Sequence, residues 1–421
     1  MCVSISHRRL NCRLCGSDKL RCMFALTSTP PANAFVHKDL LEEKQDCYPL
    51  EFYRCDACGH LQLTEIVAPE VLFRHYVYVS STSPVMVNHL QATAEAVIRH
   101  AQLKSDDLVV EFGSNDGTLL HFFKNRGMKV LGIDPARNIA EVATNSGVET
   151  LPEFFAPEIA RLIKASRGSA RAICANNVCA HIDDLGSIFD AVQILLANDG
   201  LFVFEVGYLR DVVCNAYFDT IYHEHVDFHH VEPLVSFCLL HGLQLVHVER
   251  VNIQGGSIRC YVQHNNGPYS IDPSVDNYID DEHAAGLHLP ETYRYLGLRI
   301  EQRRVELVSL LAGLKSQGKK IAAFGAPAKA TTLMYHFGLS KNIIDFIVDE
   351  NPLKQGLFTP GLHVPVVHPD ALQNETPDYL VVLAWNFADN IMQRYGYYVE
   401  QGGRFIVPLP NLALYGDKLC G

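Results

Sequence analysis

No apolar run in this 421-residue sequence approaches the ~20 residues that a bilayer-crossing helix needs. Basic charge is in the minority, with 35 Lys and Arg against 47 Asp and Glu and a formal net charge of −12. Proteins whose main partner is a phosphate backbone usually carry a basic face. The absence of basic runs therefore argues against nucleic acid, and leaves room only for a local patch that holds a small phosphorylated ligand. The opening stretch MCVSISHRRLNCRLCG has no apolar segment of the kind a secretory leader needs, so a reducing cytoplasm is expected. Neither G-x-G-x-x-G nor HExxH occurs, which removes the dinucleotide fingerprint and the zinc-protease signature. Short-period repeats and low-complexity tracts are lacking as well. Tryptophan occurs once; Trp385 reads as a core residue rather than a base-stacking platform, with Asn386 beside it as a candidate nucleotide contact.

Cysteine is plentiful by contrast, at 13 residues, and in a reducing compartment thiols and metal ligands come before disulfides. Four stand in pairs: Cys12 and Cys15 in CRLC, Cys55 and Cys58 in CDACGH. Each C-x-x-C turn offers two thiolates to one ion, and two turns complete a tetrahedral zinc site with no open position, hence structural. The 39 residues between the pairs exceed the gap of a compact zinc finger, and redox C-x-x-C pairs are the competing reading. Cys2, Cys22 and Cys47 read as buried bystander thiols.

The length suggests two or three domains. VMVNHLQATAEAVIRHAQ, from residue 85, has helical spacing. DLVVEFGSNDGTLLHFFKNRG then gives a strand, a glycine loop and an amphipathic helix, and MKVLGIDPARNIAEVA repeats the scheme. ARAICANNVCAHIDD, GLFVFEVGYL and LQLVHVERV supply further strands. This alternation predicts an α/β doubly wound, Rossmann-like sheet. Residues 266–295 are polar and turn-rich and read as a connection. A long helix, RIEQRRVELVSLLAGLKSQGK, leads into a second, smaller α/β unit. The expected division is a zinc-binding domain over 1–75, a central domain over 76–265, the connection over 266–295, and a C-terminal α/β domain over 296–421.

Two glycine loops sit where open α/β sheets bind ligands, at the carboxyl ends of strands. In VVEFGSNDG, Gly113 and Gly117 permit a tight turn, with Ser114, Asn115 and Asp116 between them. Glu111 ends the strand, and Asp134 ends the next one, seventeen residues after Gly117. An acid, a polar loop and a second acid placed for ribose hydroxyls suit S-adenosylmethionine, which has a sulfonium, an amino-acid tail and an adenosine. In AAFGAPAKATTL, Gly325 and Ala326 open a helix whose first amides favour an anion. Lys329 reads either as a phosphate cation or as an exposed helix lysine, and Asp349 ends the following strand near where a ribose would lie. Arg259, in GGSIR, has two open readings, a phosphate contact or an ion pair with an acid.

The stretch IYHEHVDFHH packs four histidines and a glutamate into residues 221–230. Imidazole serves metal sites, catalysis and plain surfaces alike. No further cysteine or HExxH spacing supports a second metal here, and His223, His229 and His230 read as surface or packing residues.

In this order, CRLC…CDACGHLQL, YVYVSSTS, EFGSNDGTLL, GIDPARNIA, NNVCAHI, YHEHVDF, QGGSIRCYV and FGAPAKATTL…VDENPLKQG resemble the S-adenosylmethionine-dependent C-methyltransferases that act on nucleotide-linked 4-keto deoxysugars. The likeness runs from Cys12 to about Asn411. It implies a three-part enzyme: a domain with structural zinc, a methyltransferase core, and a C-terminal domain that helps to hold the sugar nucleotide. Carried onto this chain, the family's catalytic motif falls on Tyr222, Glu224 and His225, its tyrosine on Tyr76, and its second histidine on His181; Asn177 joins the cofactor set. Related loops often carry a third glycine where this chain has Asn115. A small-molecule nucleotide sugar is thus the expected partner, with no nucleic acid or membrane, and a monomer or homodimer as the assembly.

Carbon methylation explains why such a motif is needed. A sugar carbon becomes nucleophilic only after losing a proton next to a carbonyl, so the site requires a base of near-neutral pKa and donors for an oxyanion. His225 is the expected base and Glu224 its electrostatic or ligand-positioning neighbour. Resemblance favours C-3, while C-5 is equally acidified by a C-4 ketone. An extended backbone would point Tyr222 and Glu224 one way and His223 and His225 the other. The rivals are a nucleotide-sugar epimerase or oxidoreductase using the C-terminal unit for NAD, a zinc-bearing methyltransferase acting on RNA or protein, and an inactive binding module. GAPAKA lacks the glycine spacing of the first, net charge counts against RNA, and the base and cofactor acids that the last would lose are present.

Overall fold

The computed structural model describes residues 5–73, 81 and 84–416. Near the N-terminus the strands Leu20–Thr29, Tyr48–Cys55 and Leu61–Leu63 form an antiparallel sheet. Its fourth strand, Asp227–Phe228, comes from the histidine-rich stretch and pairs with Leu61–Leu63. A small ribbon joins Ser6–Arg8 to Glu65–Val67. Cys22 and Cys47, expected as buried thiols, are exposed; Cys2 lies outside the described residues.

The central sheet has seven strands: β1 (Leu108–Phe112), β2 (Lys129–Ile133), β3 (Thr150–Leu151), β4 (Ala170–Asn176), β5 (Leu196–Gly207), β6 (Leu243–Val251) and β7 (Ser257–His264). Their order is β3-β2-β1-β4-β5-β7-β6, and only β7 runs against its neighbours. Parallel strands covered on both faces read as continuous apolar runs, and β1 is buried throughout. Its one acid, Glu111, is therefore a costly exception. The order reverses between β1 and β4, and the first glycine loop leaves β1 at that switch point.

The C-terminal sheet repeats the logic. Its strands are β8 (Ile321–Phe324), β9 (Ile347–Val348), β10 (Val366–Val367), β11 (Tyr379–Val382), β12 (Arg404–Val407) and β13 (Ala413–Tyr415). They lie in the order β10-β9-β8-β11-β12-β13, parallel except for β13. The second glycine loop leaves β8 where this order reverses.

Two helices depart from the sequence reading. Residues 266–295 contain the helix Ser274–Ala284, and the long helix begins already at Pro290 and runs to Ser316. Of the first, only Val275 and Glu282 are buried, so too little apolar periodicity marks it. Glu282 accepts from the amides of Val231 and Glu232 at 2.7 and 3.1 Å, capping the helix Val231–Leu240. That tertiary bond fixes a helix that local signals do not announce.

One apolar core unites the N-terminal sheet (Leu50, Phe52), the segment carrying Phe218 and Ile221, the long helix (Leu307, Leu311) and the C-terminal sheet (Phe324, Leu380). A junction of three domains thus surrounds the stretch from Tyr217 to Phe228. No helix among the described residues is long and apolar enough to cross a membrane.

Candidate active site

The cofactor loop folds as its glycines dictate. Gly113 and Gly117 have φ of +65° and +78°, in the left-handed region that favours glycine. A Cβ on Gly113 would stand 2.3 Å from Val178 Cγ2, so this loop presses on the turn after β4. Asn115 also adopts positive φ, at +50°, as asparagine tolerates; this is how the chain dispenses with the third glycine. Asp116 accepts from the amide and hydroxyl of Thr118, and Asp134 from the amides of Asn115 and Ala136 at 2.9 Å each. Burial pushes the Asp134 carboxyl up, opposed by those amides. Ser114 is buried, its hydroxyl unbonded among the described residues, and Asn177, also at positive φ, donates its backbone amide to the Glu205 carbonyl.

Glu111 carries the sharpest electrostatic statement. It is buried, one oxygen lies 3.4 Å from the Asn176 amide nitrogen, and Oε2 has no hydrogen-bond partner among the described residues. Burial drives this carboxyl well above the usual range. A desolvated acid with an unmet oxygen suits a ligand that brings positive charge, as S-adenosylmethionine does.

The histidine-rich loop does not run extended. Residues 222–224 bend into a turn, so the predicted alternation fails and Tyr222 faces His225, their rings 4.1 Å apart. His225 Nδ1 lies 2.8 Å from the Thr220 carbonyl and Nε2 lies 2.9 Å from the Tyr222 hydroxyl. A carbonyl only accepts, so Nδ1 holds the proton and Nε2 offers the lone pair. Burial lowers the His225 pKa to about 4, partly offset by the Thr220 bond. The His181 ring is 5.0 Å away and is pushed well below the ordinary histidine range by burial and then by His225. His181 donates its amide to the carbonyl of Val178, the residue that Gly113 touches. The first glycine loop and the histidine pair are thereby joined through one turn.

Glu224 is buried and receives Asn33 Nδ2 at 2.7 Å. Burial raises its pKa to about 7, against the pull of Asn33 and Lys354. Neither partner was expected from sequence; only Lys354, in VDENPLKQG, lay within a motif. Lys354 donates to the Ala326 carbonyl at 2.8 Å, and both Asp349 and Glu224 lie close enough to oppose the lowering of its pKa by burial. Asp349 accepts from the amides of Ala326 and Asn351. Gly325 has φ +85°, and a Cβ there would lie 2.5 Å from that of Ala384.

The structure bears on three readings left open above. Arg259 takes the ion-pair reading, bound to Glu205 and Glu249 at 2.6 Å and almost fully buried, so it leaves the phosphate-binding set. Lys329 is no exposed helix lysine: it donates to Asn386 at 2.7 Å and rests 3.5 Å above the Trp385 ring, with burial lowering its pKa to about 8. Its charge and Asn386 are both engaged within the protein. His223, His229 and His230 are packing residues, all three buried, and His223 lies 3.2 Å from the Tyr48 carbonyl. Trp385 is buried as expected. Tyr76 lies outside the described residues.

In the N-terminal domain, the sulfurs of Cys12, Cys15, Cys55 and Cys58 all fall within 4.8 Å of one another. The pairs Cys12–Cys58 and Cys15–Cys55 are 3.6 Å apart. A tetrahedron with Zn–S near 2.3 Å needs sulfurs about 3.8 Å apart, and the four thiols fit it.

Family models match along the chain in three parts: a putative zinc binding domain over residues 12–73, a methyltransferase domain over 86–248, and a C-methyltransferase C-terminal domain over 252–410. The C-methyltransferase NovU of Streptomyces niveus is 36% identical over 400 residues, covering 95% of each chain. This chain belongs to the C-methyltransferase family. Solved structures give fainter likenesses. The magnesium protoporphyrin IX methyltransferase of Synechocystis PCC 6803 matches at 13% identity and TM-score 0.33, over 42% of this chain and 80% of that one. A SAM-dependent methyltransferase of Anabaena variabilis matches at 15% and 0.33, over 41% and 84%. Scores of that size decide nothing further. As a C-methyltransferase the chain uses S-adenosylmethionine, and it carries zinc on its four N-terminal cysteines.

Asp134→Ala should weaken S-adenosylmethionine binding about tenfold or more, ~1.4 kcal/mol at least, because each charge-assisted bond to the ribose contributes roughly 1.5–3 kcal/mol. Calorimetry should show this while affinity for the second substrate holds. Unchanged cofactor affinity would remove Asp134 from the site.

Proposed function

We propose that this C-methyltransferase methylates a carbon next to the ketone of a nucleotide-linked 4-keto-6-deoxysugar, with C-3 the preferred position. The observation that supports this best is the tautomer of His225. Its Nε2 lone pair, neutral and partly shielded from water, faces a phenol. Oxygen and nitrogen nucleophiles already carry a lone pair for the sulfonium methyl, whereas a carbon next to a ketone becomes nucleophilic only after a base removes its proton.

In this reading Nε2 takes the proton from the α-carbon, and the C–H electron pair becomes the enolate. The Tyr222 hydroxyl, which meets Nε2 in the resting protein, donates to the developing oxyanion. His181 and Tyr76 support the ligand or the oxyanion. S-adenosylmethionine, when bound, supplies the methyl group. The proton left on His225 then departs to water, and the thiolate-bound zinc takes no part. Glu224 accepts from a sugar hydroxyl, while Gly325, Ala326 and Asp349 hold the nucleotide. Lys354, between Glu224 and Asp349, takes the cationic role first given to Lys329.

The test is to incubate the protein with S-adenosylmethionine and a panel of nucleotide-linked 4-keto-6-deoxysugars, locating any added methyl by mass spectrometry and NMR. Methylation of no sugar in the panel, with turnover on another carbon acid, would refute the substrate class.

A pH profile follows from the same geometry. An ordinary imidazole near 6.5 would make kcat/KM fall below roughly pH 6. Burial moves that limb of the free enzyme down to about 4, so base protonation should not limit the rate between pH 5 and 8. Glu224, raised to about 7, becomes ionised only as pH rises through neutrality, and an inflection there should vanish in Glu224→Gln. A fall centred near 6.5 that persists in Glu224→Gln would show His225 titrating like a free imidazole.

A further inference from the structure

The segment that orients His225 is gripped from outside the methyltransferase domain. The Nδ1 proton goes to the carbonyl of Thr220, the last residue of a short 3-10 turn, Phe218–Thr220. Four contacts from the C-terminal domain converge on this turn and its flanks. The Trp385 indole N–H donates to Asp219 Oδ2 at 2.6 Å. The same indole stacks on Tyr217, centroids 4.2 Å apart and planes within 24°. Phe337 stacks on Phe218 at 4.9 Å, and the Thr332 hydroxyl donates to the Ile221 carbonyl at 2.9 Å. Lys329 closes the arrangement, with its ammonium over the Trp385 face and near enough to Asp219 to favour that carboxylate's charge.

We infer that Trp385 and Asp219 are positioning residues, by which the C-terminal domain fixes the Thr220 carbonyl and so holds His225 with Nδ1 protonated and Nε2 free to act as the base. The inference rests on His225 being the base. Its physical content is that the imidazole's tautomer depends on where one carbonyl points, and that carbonyl belongs to a turn with few bonds of its own. Within the turn, Thr220 is tied to the Tyr217 carbonyl through its amide at 3.2 Å and its hydroxyl at 2.7 Å, and its amide also favours the Asp219 carboxylate. The C-terminal domain thus contributes to proton abstraction, besides any hold it has on the nucleotide.

The test uses the full-length, zinc-loaded chain with ¹⁵N-histidine, the His225 resonances being identified by their absence from His225→Gln. Wild type should show the tautomer with Nδ1 protonated. Trp385→Phe keeps the stacking ring and loses the donor; Asp219→Ala loses the acceptor. In both, the tautomer with Nε2 protonated should appear, and hydrogen exchange of the ketosugar's α-position with deuterated water should slow by about tenfold to a hundredfold, as for a small misplacement of a catalytic group. That loss should fall on kcat and leave KM and cofactor affinity in place. Asp219→Asn retains an acceptor oxygen and should restore both tautomer and rate. Should either variant fail to fold, Thr332→Val, which removes one bond to the Ile221 carbonyl, gives the same reading. Folded variants that keep the wild-type tautomer overturn the inference. A changed tautomer with undiminished exchange leaves the positioning in place and instead removes His225 as the base.

Discussion

His225→Ala should lose proton abstraction and methylation together, by about 10²–10⁴-fold, the usual contribution of a general base. Wild-type protein should exchange the α-hydrogen of the proposed ketosugar with deuterated water even without a methyl donor, since Nε2 is already unprotonated in the resting protein, its lone pair facing the Tyr222 hydroxyl. The alanine variant should do neither, yet bind S-adenosylmethionine normally, because the residues placed to hold it are on other loops. Tyr222→Phe should cost less than His225→Ala: it removes a donor and leaves the base. His181→Asn should also cost less, since the Thr220 bond already sets the His225 tautomer. Near-normal turnover in His225→Ala, with loss in His181 or Tyr222 variants, would reassign the base and leave the motif to position the sugar.

The second large effect concerns the metal. Metal analysis should find about one zinc per chain, and Cys55→Ser should abolish it. Structural zinc sites contribute roughly 10–16 kcal/mol in isolated peptides. Here the sheet has its own core, yet a loss of only ~4 kcal/mol would lower the melting temperature by roughly 10 °C. Activity should fall as well. The Leu63 amide donates to the Val226 carbonyl at 2.9 Å, and Arg13, lodged between Cys12 and Cys15, donates to the carbonyls of Leu63 and Val226 at 2.7 and 3.2 Å. His60, two residues past Cys58, meets Asp227 at 2.7 Å. Releasing the metal loosens this whole edge, and Val226 is the residue next to His225. Zinc content surviving in Cys55→Ser, or zinc held by His223 and His225, would overturn both claims.

Much of this was legible from the chain because the signals are local. Two C-x-x-C turns state their own geometry, and a strand, a glycine loop and a following acid state theirs. What could not be read depends on residues far apart. Asn33 meets Glu224 across 191 residues, and Trp385 meets Asp219 across 166; nothing near either residue marks the contact. The orientation of His225 departs from the sequence reading because period-two alternation holds only for extended backbone, and the turn at 222–224 is held in part by Asn33 and the Tyr48 carbonyl, which the segment does not contain. Arg259 illustrates the same limit. Its ion pair with Glu205 depends on β5 and β7 lying side by side, which a motif of five residues cannot express.

The strand Asp227–Phe228 makes the borders drawn along the chain differ from those in space. A recombinant that joined the first seventy residues of one relative to the remainder of another would place a foreign sheet beside a native edge strand. Register there depends on only two residue pairs, Asp227 with Gln62 and Phe228 with Leu61, and a slip of one residue would turn every side chain of the strand to the opposite face. Successful crossovers between family members are thus expected to inherit residues 20–63 and 222–228 from the same parent, although a whole cofactor-binding domain separates them in sequence.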